Sequence, residues 1–259
     1  MNYETVIYEE KDGIAKITLN RPEALNATQK MYYELNSILD NIDNNANIRV
    51  IILTGSGRAF CSGMDISAFL GGEFTGKAGR LYERALFKRF ETNSRPVIVA
   101  INGFAIGGGL ELALCRDFRI VSETAQIGNT EVNLGIIPGG GGTQRLPRLI
   151  GVPKAKELIL LGDRVSAKEA EKIGLVNKIT SPEELDNNVF ELAKRLRDKA
   201  PLAVSAAKYA INKVFELGTD LDTGLMIESD LGEMVEASED AEEGMKAFMA
   251  KRKPEFKSK

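Results

Sequence analysis

Two glutamates and two glycine clusters share one stretch of this chain, Asn102 to Arg145, which reads NGFAIGGGLELALCRDFRIVSETAQIGNTEVNLGIIPGGGGTQR. Glu111 follows Gly107, Gly108 and Gly109, and Glu131, twenty positions later, precedes Gly139 to Gly142. Glycines without side chains let a ligand approach backbone N–H groups that point out of a helix start, and such groups stabilise anions. Two carboxylates near an anion site supply a proton acceptor and a proton donor, the equipment for chemistry at carbons next to a carbonyl. The residue types alone leave a second reading open, in which Glu111 is only a favourable charge in the first turn of a helix. Glu is rarely buried without a partner, so Glu111 either lines a cavity or is paired.

The chain has no histidine. That removes the usual general base, the Ser-His nucleophile pair and every His-based metal site, and leaves acid–base work to carboxylates, lysine, tyrosine or water. No metal site is expected. Neither main glycine cluster is followed by Gly-Lys-Ser/Thr, and no GxGxxG with an acidic ribose partner is present. The run from Gly71 to Lys77 spaces its glycines like a P-loop, but Ala78 follows, with no hydroxyl for a magnesium ion. No GxSxG elbow occurs, so Ser62 reads as a turn residue. A net charge of −3 from interspersed charges argues against a basic face for nucleic acid. Only the tail KRKPEFKSK is locally basic, a solvated end or a phosphate contact. Cys61 and Cys115 do not make a disulfide framework and read as small packing residues. With no N-terminal signal and no long apolar run, a cytoplasmic setting is the expectation.

The elements that must position this stretch follow from periodicity. Val6 to Tyr8 and Ile14 to Leu19 read as strands paired across Lys11-Asp12-Gly13, and Thr28 to Asp43 as an amphipathic helix. Val50 to Thr54 is a short, continuous apolar run of the kind found in a sheet covered on both faces, Val97 to Ile101 reads as the next buried strand and Phe118 to Val121 as another. Gly71 to Gly79 reads as a flexible lid or pocket wall before a helix from about Leu81 to Glu91, and Leu110 to Cys115 as a buried helix. Strand and crossover alternate, which predicts an α/β layered core. Beyond the second glycine cluster helices dominate: 154–161, 167–173, 183–199, 202–217 and 220–236, interrupted chiefly by 175–179. Ser181 is the expected N-cap of the helix from Glu183, with Pro182 in its first turn, and Ser238 and Asp240 introduce a last helix through Ala250.

Four blocks, NRPEALNA (20–27), RAFCSGMDI (58–66), NGFAIGGGLELAL (102–114) and NTEVNLGIIPGGGGTQRLPRLIG (129–151), resemble the crotonase, or enoyl-CoA hydratase/isomerase, superfamily in order and spacing, and the tail GMKAFMAKRKPEF resembles its C-terminus. The resemblance covers essentially the whole chain. It implies an α/β fold, a crotonase-like spiral of β-β-α units, with residues 1–200 as catalytic core and 201–259 as a helical trimerisation segment. It also implies that the N–H groups of Met64 and Gly108 form an oxyanion hole, whose loss of one donor typically costs about 3 kcal/mol. By the same resemblance Glu111 and Glu131 hold the reacting water, Gly139 contacts it through its backbone N–H, and Ala24, Ala59, Ile66, Phe248 and Lys251 bind coenzyme A. Both glutamates together argue for water addition to a trans-2-enoyl-CoA, with Glu131 delivering the α-proton and Glu111 activating the water.

The implied partners are an acyl-CoA substrate and further copies of the chain, as a homotrimer or a hexamer of two trimers, with no nucleic acid, no membrane and no cofactor beyond the thioester itself. Isomerisation or another enolate-forming reaction is the alternative within the fold, and a non-catalytic acyl-CoA or RNA binder is the alternative outside it. Three positions depart from the commoner hydratase pattern: Asn129 stands where many members carry Gln, and Glu23 and Ser67 stand where several carry lysines near the CoA phosphates. Acyl length, branching and pathway are not encoded in these motifs.

Overall fold

A computed structural model describes residues 3–27, 30–72, 76–218 and 220–259. Thr28, the expected start of one helix, residues 73–75 of the glycine-rich segment and the side chain of Phe215 lie outside the description. The described residues form ten strands: β1 (Val6–Lys11), β2 (Ile14–Leu19), β3 (Val50–Gly55), β4 (Ala59–Cys61), β5 (Val97–Ile101), β6 (Phe104–Ile106), β7 (Phe118–Ser122), β8 (Gln126–Gly128), β9 (Val165–Ser166) and β10 (Lys178–Thr180). Among them run α1 (Lys30–Asp43), α2 (Ile66–Leu70), α3 (Gly76–Thr92), α4 (Gly108–Leu114), α5 (Gly142–Ile150), α6 (Val152–Leu161), α7 (Ala167–Lys172) and α8 (Leu185–Arg197).

β1 and β2 pair antiparallel, Lys11 opposite Ile14, and the two residues between them, Asp12 and Gly13, take φ of 51° and 76°, the left-handed pair that a two-residue hairpin turn needs. β3, β5, β7 and β10 extend β2 in parallel, giving the order β1-β2-β3-β5-β7-β10. A smaller sheet runs β4-β6-β8-β9, with β4, β6 and β8 parallel. The chain therefore passes three times from the large sheet to the small one, β3 to β4, β5 to β6 and β7 to β8, and turns helical after each. That is the β-β-α spiral the resemblance implies. β5 and the first four residues of β3, Val50 to Leu53, are apolar throughout because both their faces are covered. Ile51, Leu53, Val97 and Val99 join the main core with α1, α3 and α4, while Val50, Ile52, Ile98 and Ala100 pack under Leu185, Val189 and Ala193 of α8.

Several expectations need correction. Gly76 and Gly79 belong to α3, which begins five residues before the expected Leu81 and buries Leu86, Phe87 and Phe90 in its later turns. Ser181 does not cap α8, because the segment after it makes a turn, Glu184 N–H to Ser181 O, and the helix begins only at Leu185. β4, β6 and β8, of three residues each, are too short to show a period.

The remaining helices are α9 (Pro201–Leu217), α10 (Leu221–Glu236) and α11 (Glu239–Met249). Asp220 and Ser238 cap the last two through bonds to Thr223 and Ala241 N–H. α9 and α10 pack on each other, and α9 is tied to the core where Lys208 Nζ meets Asp117 at 2.7 Å. The tail returns to the core: Asp240 accepts the N–H groups of Lys257 and Ser258, Arg49 donates to Phe256 O, and Lys253 pairs with Asp198. No described helix is long and apolar enough to cross a membrane.

Candidate active site

The site is assembled where the small sheet meets α4. Asn26, buried in the left-handed region at φ 59°, donates through its amide to the carbonyls of Ser56, Ala59 and Phe60, and so anchors β4 from one side. Ala59 is buried in that strand, and Ala24 ends a short 3₁₀ turn, Pro22–Ala24, that leads into Asn26. After Cys61 the chain turns at Gly63, φ 87°, into Met64 and Asp65, whose carboxylate caps α2 through Ser67 and Ala68 N–H. Ile66, 53% exposed, opens that helix.

Backbone meets backbone at this turn. A Cβ on Gly63 would lie 2.8 Å from Gly108 N, and one on Gly109 would lie 2.0 Å from Cys61 O. Only glycine at both positions allows the Gly63-Met64 turn to rest against the start of α4. The first bond of that helix runs from Glu111 N–H to Gly107 O, so the N–H of Gly108 precedes the helix's own bonding. The turn that leads into Met64 thus rests against Gly108 at the start of α4.

Glu111 is 2% exposed, and its partners come from the second glycine cluster: Gly140 N–H reaches Oε2 at 2.9 Å and Gly142 N–H reaches Oε1 at 2.6 Å. A Cβ on Gly140 would lie 2.7 Å from Phe87 Cε2 and 2.9 Å from Glu111 Oε2, so a side chain at this position would crowd the bonds that hold the carboxylate. The partners that let Glu111 be buried are thus backbone N–H groups. Burial raises its pKa, and the donations from Gly142, Gly140 and Gly141 oppose that by favouring the charged form. Gly139 sits one residue outside these bonds, with its carbonyl held by Arg84 Nε at 2.7 Å.

Glu131 opens a 3₁₀ turn, Glu131–Leu134, two residues after Asn129. Asn129 Nδ2 donates to both its oxygens, at 3.1 and 3.4 Å, so the residue that departs from the commoner pattern holds this glutamate. Oε1 lies 3.3 Å from where a Cβ on Gly107 would stand, which sets Glu131 against the same α4 start as Glu111. Burial, then the negative charge of Glu111, pushes Glu131 up to about 7.

A third carboxylate, Glu83 of α3, stands beside these two and was not singled out from the sequence. The signal was present: Glu83 shares the buried stripe of Leu86, Phe87 and Phe90 at helical spacing. Burial and the charge of Glu111 push it up to about 7 as well. Phe248 and Lys251, by contrast, are exposed on α11 and the bend after it, on a tail fastened near Arg49 and Asp198. Cys61 and Cys115 are buried and free, their thiols pushed up by burial to about 12 and about 11, which fits packing residues.

These shifts set a pH dependence of stability. Between 4.5, the ordinary value, and about 7, Glu83 and Glu131 bind protons more tightly in the folded chain than in the unfolded one, so stability is highest below that window and falls as pH rises through it. Glu131→Gln removes one of the two contributions. Its melting temperature should fall less steeply than that of the parent between pH 5 and 8, and an identical slope would count against the burial of this carboxylate.

The family model described as enoyl-CoA hydratase/isomerase matches residues 9–259. A crotonyl-CoA hydratase of Syntrophomonas wolfei is 43% identical, with all of both chains covered. A short-chain-enoyl-CoA hydratase of Clostridium acetobutylicum is 41% identical, again over all of both chains. Among solved structures, an enoyl-CoA hydratase from Bacillus anthracis superposes with a TM-score of 0.94 at 41% identity, covering 99% of this chain and 100% of that one.

Proposed function

The chain belongs to the enoyl-CoA hydratase/isomerase family, and from that premise we infer that it adds water across the C2–C3 double bond of a trans-2-enoyl-CoA to give a 3-hydroxyacyl-CoA. One observation carries the reading: a buried carboxylate, Glu111, and a half-buried one, Glu131, face one helix start, the first held by two backbone N–H groups and the second by a single side-chain amide. The thioester carbonyl accepts from the N–H groups of Gly108 and Met64, whose bonds strengthen as charge develops on the oxygen. Glu111, favoured as the carboxylate by Gly140 and Gly142, takes a proton from the water that attacks C3. Glu131, which titrates at about 7, gives its proton to C2. Hydroxide enters at C3, the π pair becomes the C2–H bond, and the proton on Glu111 returns to Glu131 through solvent. The thioester enolate is the electron sink, so the reaction as drawn calls on no metal or redox group. Gly139 contributes an N–H toward the water, and Ala24, Ala59 and Ile66 contact coenzyme A.

Crotonyl-CoA tests the reading, because its conjugated enoyl-thioester absorbance disappears on hydration. Loss of that absorbance supports it. No change with short, medium and branched enoyl-CoAs would sink it.

The assembly is part of the same proposal. α9 and α10 expose a row of large apolar side chains, among them Val214 at 56%, Leu221 at 76% and Met226 at 68%, more than a solvated helix pair needs. Residues 201–259 serve to join three copies, or six as two trimers, and Phe248, 86% exposed, and Lys251 reach a neighbouring copy's coenzyme A. Sedimentation should show a trimer or hexamer, and truncation before Met245 should weaken CoA affinity. A stable monomer with full activity, or unchanged CoA affinity in the truncated chain, would overturn the respective half.

A further inference from the structure

Hydration as drawn uses two of the three carboxylates around α4, and Glu83 is left over. It is built into place. Tyr32 of α1 donates its hydroxyl to Glu83 Oε1 at 2.7 Å, and Tyr32 is itself buried, with its ring edge-on to Phe87 at 5.9 Å between centroids. The same Oε1 lies 3.5 Å, and the Tyr32 hydroxyl 3.9 Å, from where a Cβ on Gly108 would stand. The pair therefore faces the glycine whose N–H binds the thioester carbonyl, with no side chain between. Glu131 Oε1 lies 3.3 Å from where a Cβ on the adjacent Gly107 would stand, so Glu83 and Glu131 approach neighbouring residues of one helix start.

A thioester with its carbonyl on Gly108 and its C2 and C3 between Glu111 and Glu131 sends its coenzyme A toward Met64 and Ile66. On the hydratase reading, this leaves the rest of its acyl chain to the side of Gly108 that Glu83 and Tyr32 face. We propose that Glu83, held by Tyr32, meets the acyl chain beyond C3 and sets its selectivity: short acyl groups, or ones carrying a hydrogen-bonding group there, are accepted, and long alkyl chains are disfavoured. Methylenes laid against a carboxyl displace its water without replacing the hydrogen bonds, whereas a short chain leaves that water in place and a hydroxyl substitutes for it.

The inference rests on the hydratase reading for the position of the carbonyl, so selectivity is measured by binding as well as by turnover. Compared are kcat/KM for crotonyl-CoA and trans-2-decenoyl-CoA, and Kd for butyryl-CoA and decanoyl-CoA, in the parent chain, Glu83→Gln and Glu83→Leu. The long-to-short ratio should rise about tenfold or more in Glu83→Leu and to an intermediate value in Glu83→Gln, which keeps the bond to Tyr32 without the charge. If the leucine variant fails to fold, the glutamine variant decides by the same ratio. A ratio that stays put, or an equal loss for both chain lengths, overturns the proposal. If no enoyl-CoA is hydrated but the binding ratio still rises, the hydratase reading falls and Glu83 keeps its role.

Discussion

Replacing Glu131 by glutamine is expected to lower turnover by about 10²–10⁴-fold while leaving acyl-CoA affinity near its original value. Glutamine keeps the shape, and its amide oxygen still accepts from Asn129 Nδ2, which reaches both carboxylate oxygens in the parent. What it loses is the proton that titrates at about 7. Glu111→Gln should cost as much turnover and should also lower the melting temperature. Both Glu111 oxygens accept backbone N–H groups, from Gly140 and Gly142, and a side-chain amide can answer only one of them. The other is left as a buried unpaired donor, at about 1–3 kcal/mol. A Glu131→Gln enzyme with a near-normal hydration rate would remove that residue from the mechanism.

The second large effect is expected at a residue that touches no substrate atom. Gly109→Ala places a methyl 2.0 Å from Cys61 O and 2.9 Å from Cys61 Cβ, and the obstacle is strand backbone that cannot swing aside. The start of α4 must then move away from the Gly63-Met64 turn, which separates the two oxyanion N–H groups. Loss of one such donor is worth about 10²–10³ in kcat, and the overpacking adds roughly 1–3 kcal/mol of destabilisation. Kinetics at a temperature where circular dichroism shows the variant folded separate the two effects. A folded Gly109→Ala enzyme with unchanged kcat would mean that this close approach does not set the oxyanion geometry.

How far the sequence disclosed this arrangement depends on the length scale of each feature. Runs such as VIILT and VIVAI are long and apolar enough to announce covered strands, α1 announces itself by period, and α11 by its cap, Ser238. The small sheet was silent because its strands have two or three residues each, and their pairing is set by neighbours far along the chain. Glu111 and Glu131 stand out in the sequence as candidates for chemistry because of their glycine surroundings. That the second cluster serves to grip Glu111 is a contact between residues about thirty apart, which no local pattern carries. Asn129 drew notice as a departure, but its hold on Glu131 shows only in three dimensions. Glu83 was missed for a different reason: a single acid within an apolar stripe reads as a break in the stripe until its burial against Tyr32 is seen.

The central claim is that Glu111 and Glu131 together deliver water to C3 and a proton to C2 of an enoyl thioester held on Gly108 and Met64. Its most direct test is the isotopic composition of the product formed from crotonyl-CoA, in parallel reactions in heavy-oxygen water and in deuterium oxide. The account predicts 3-hydroxybutyryl-CoA with heavy oxygen at C3 in the first and deuterium at C2 in the second, and neither label in a Glu111→Gln, Glu131→Gln double variant over the same time. Deuterium entering the acyl chain without any oxygen label, as in double-bond migration through the same enolate, would contradict it.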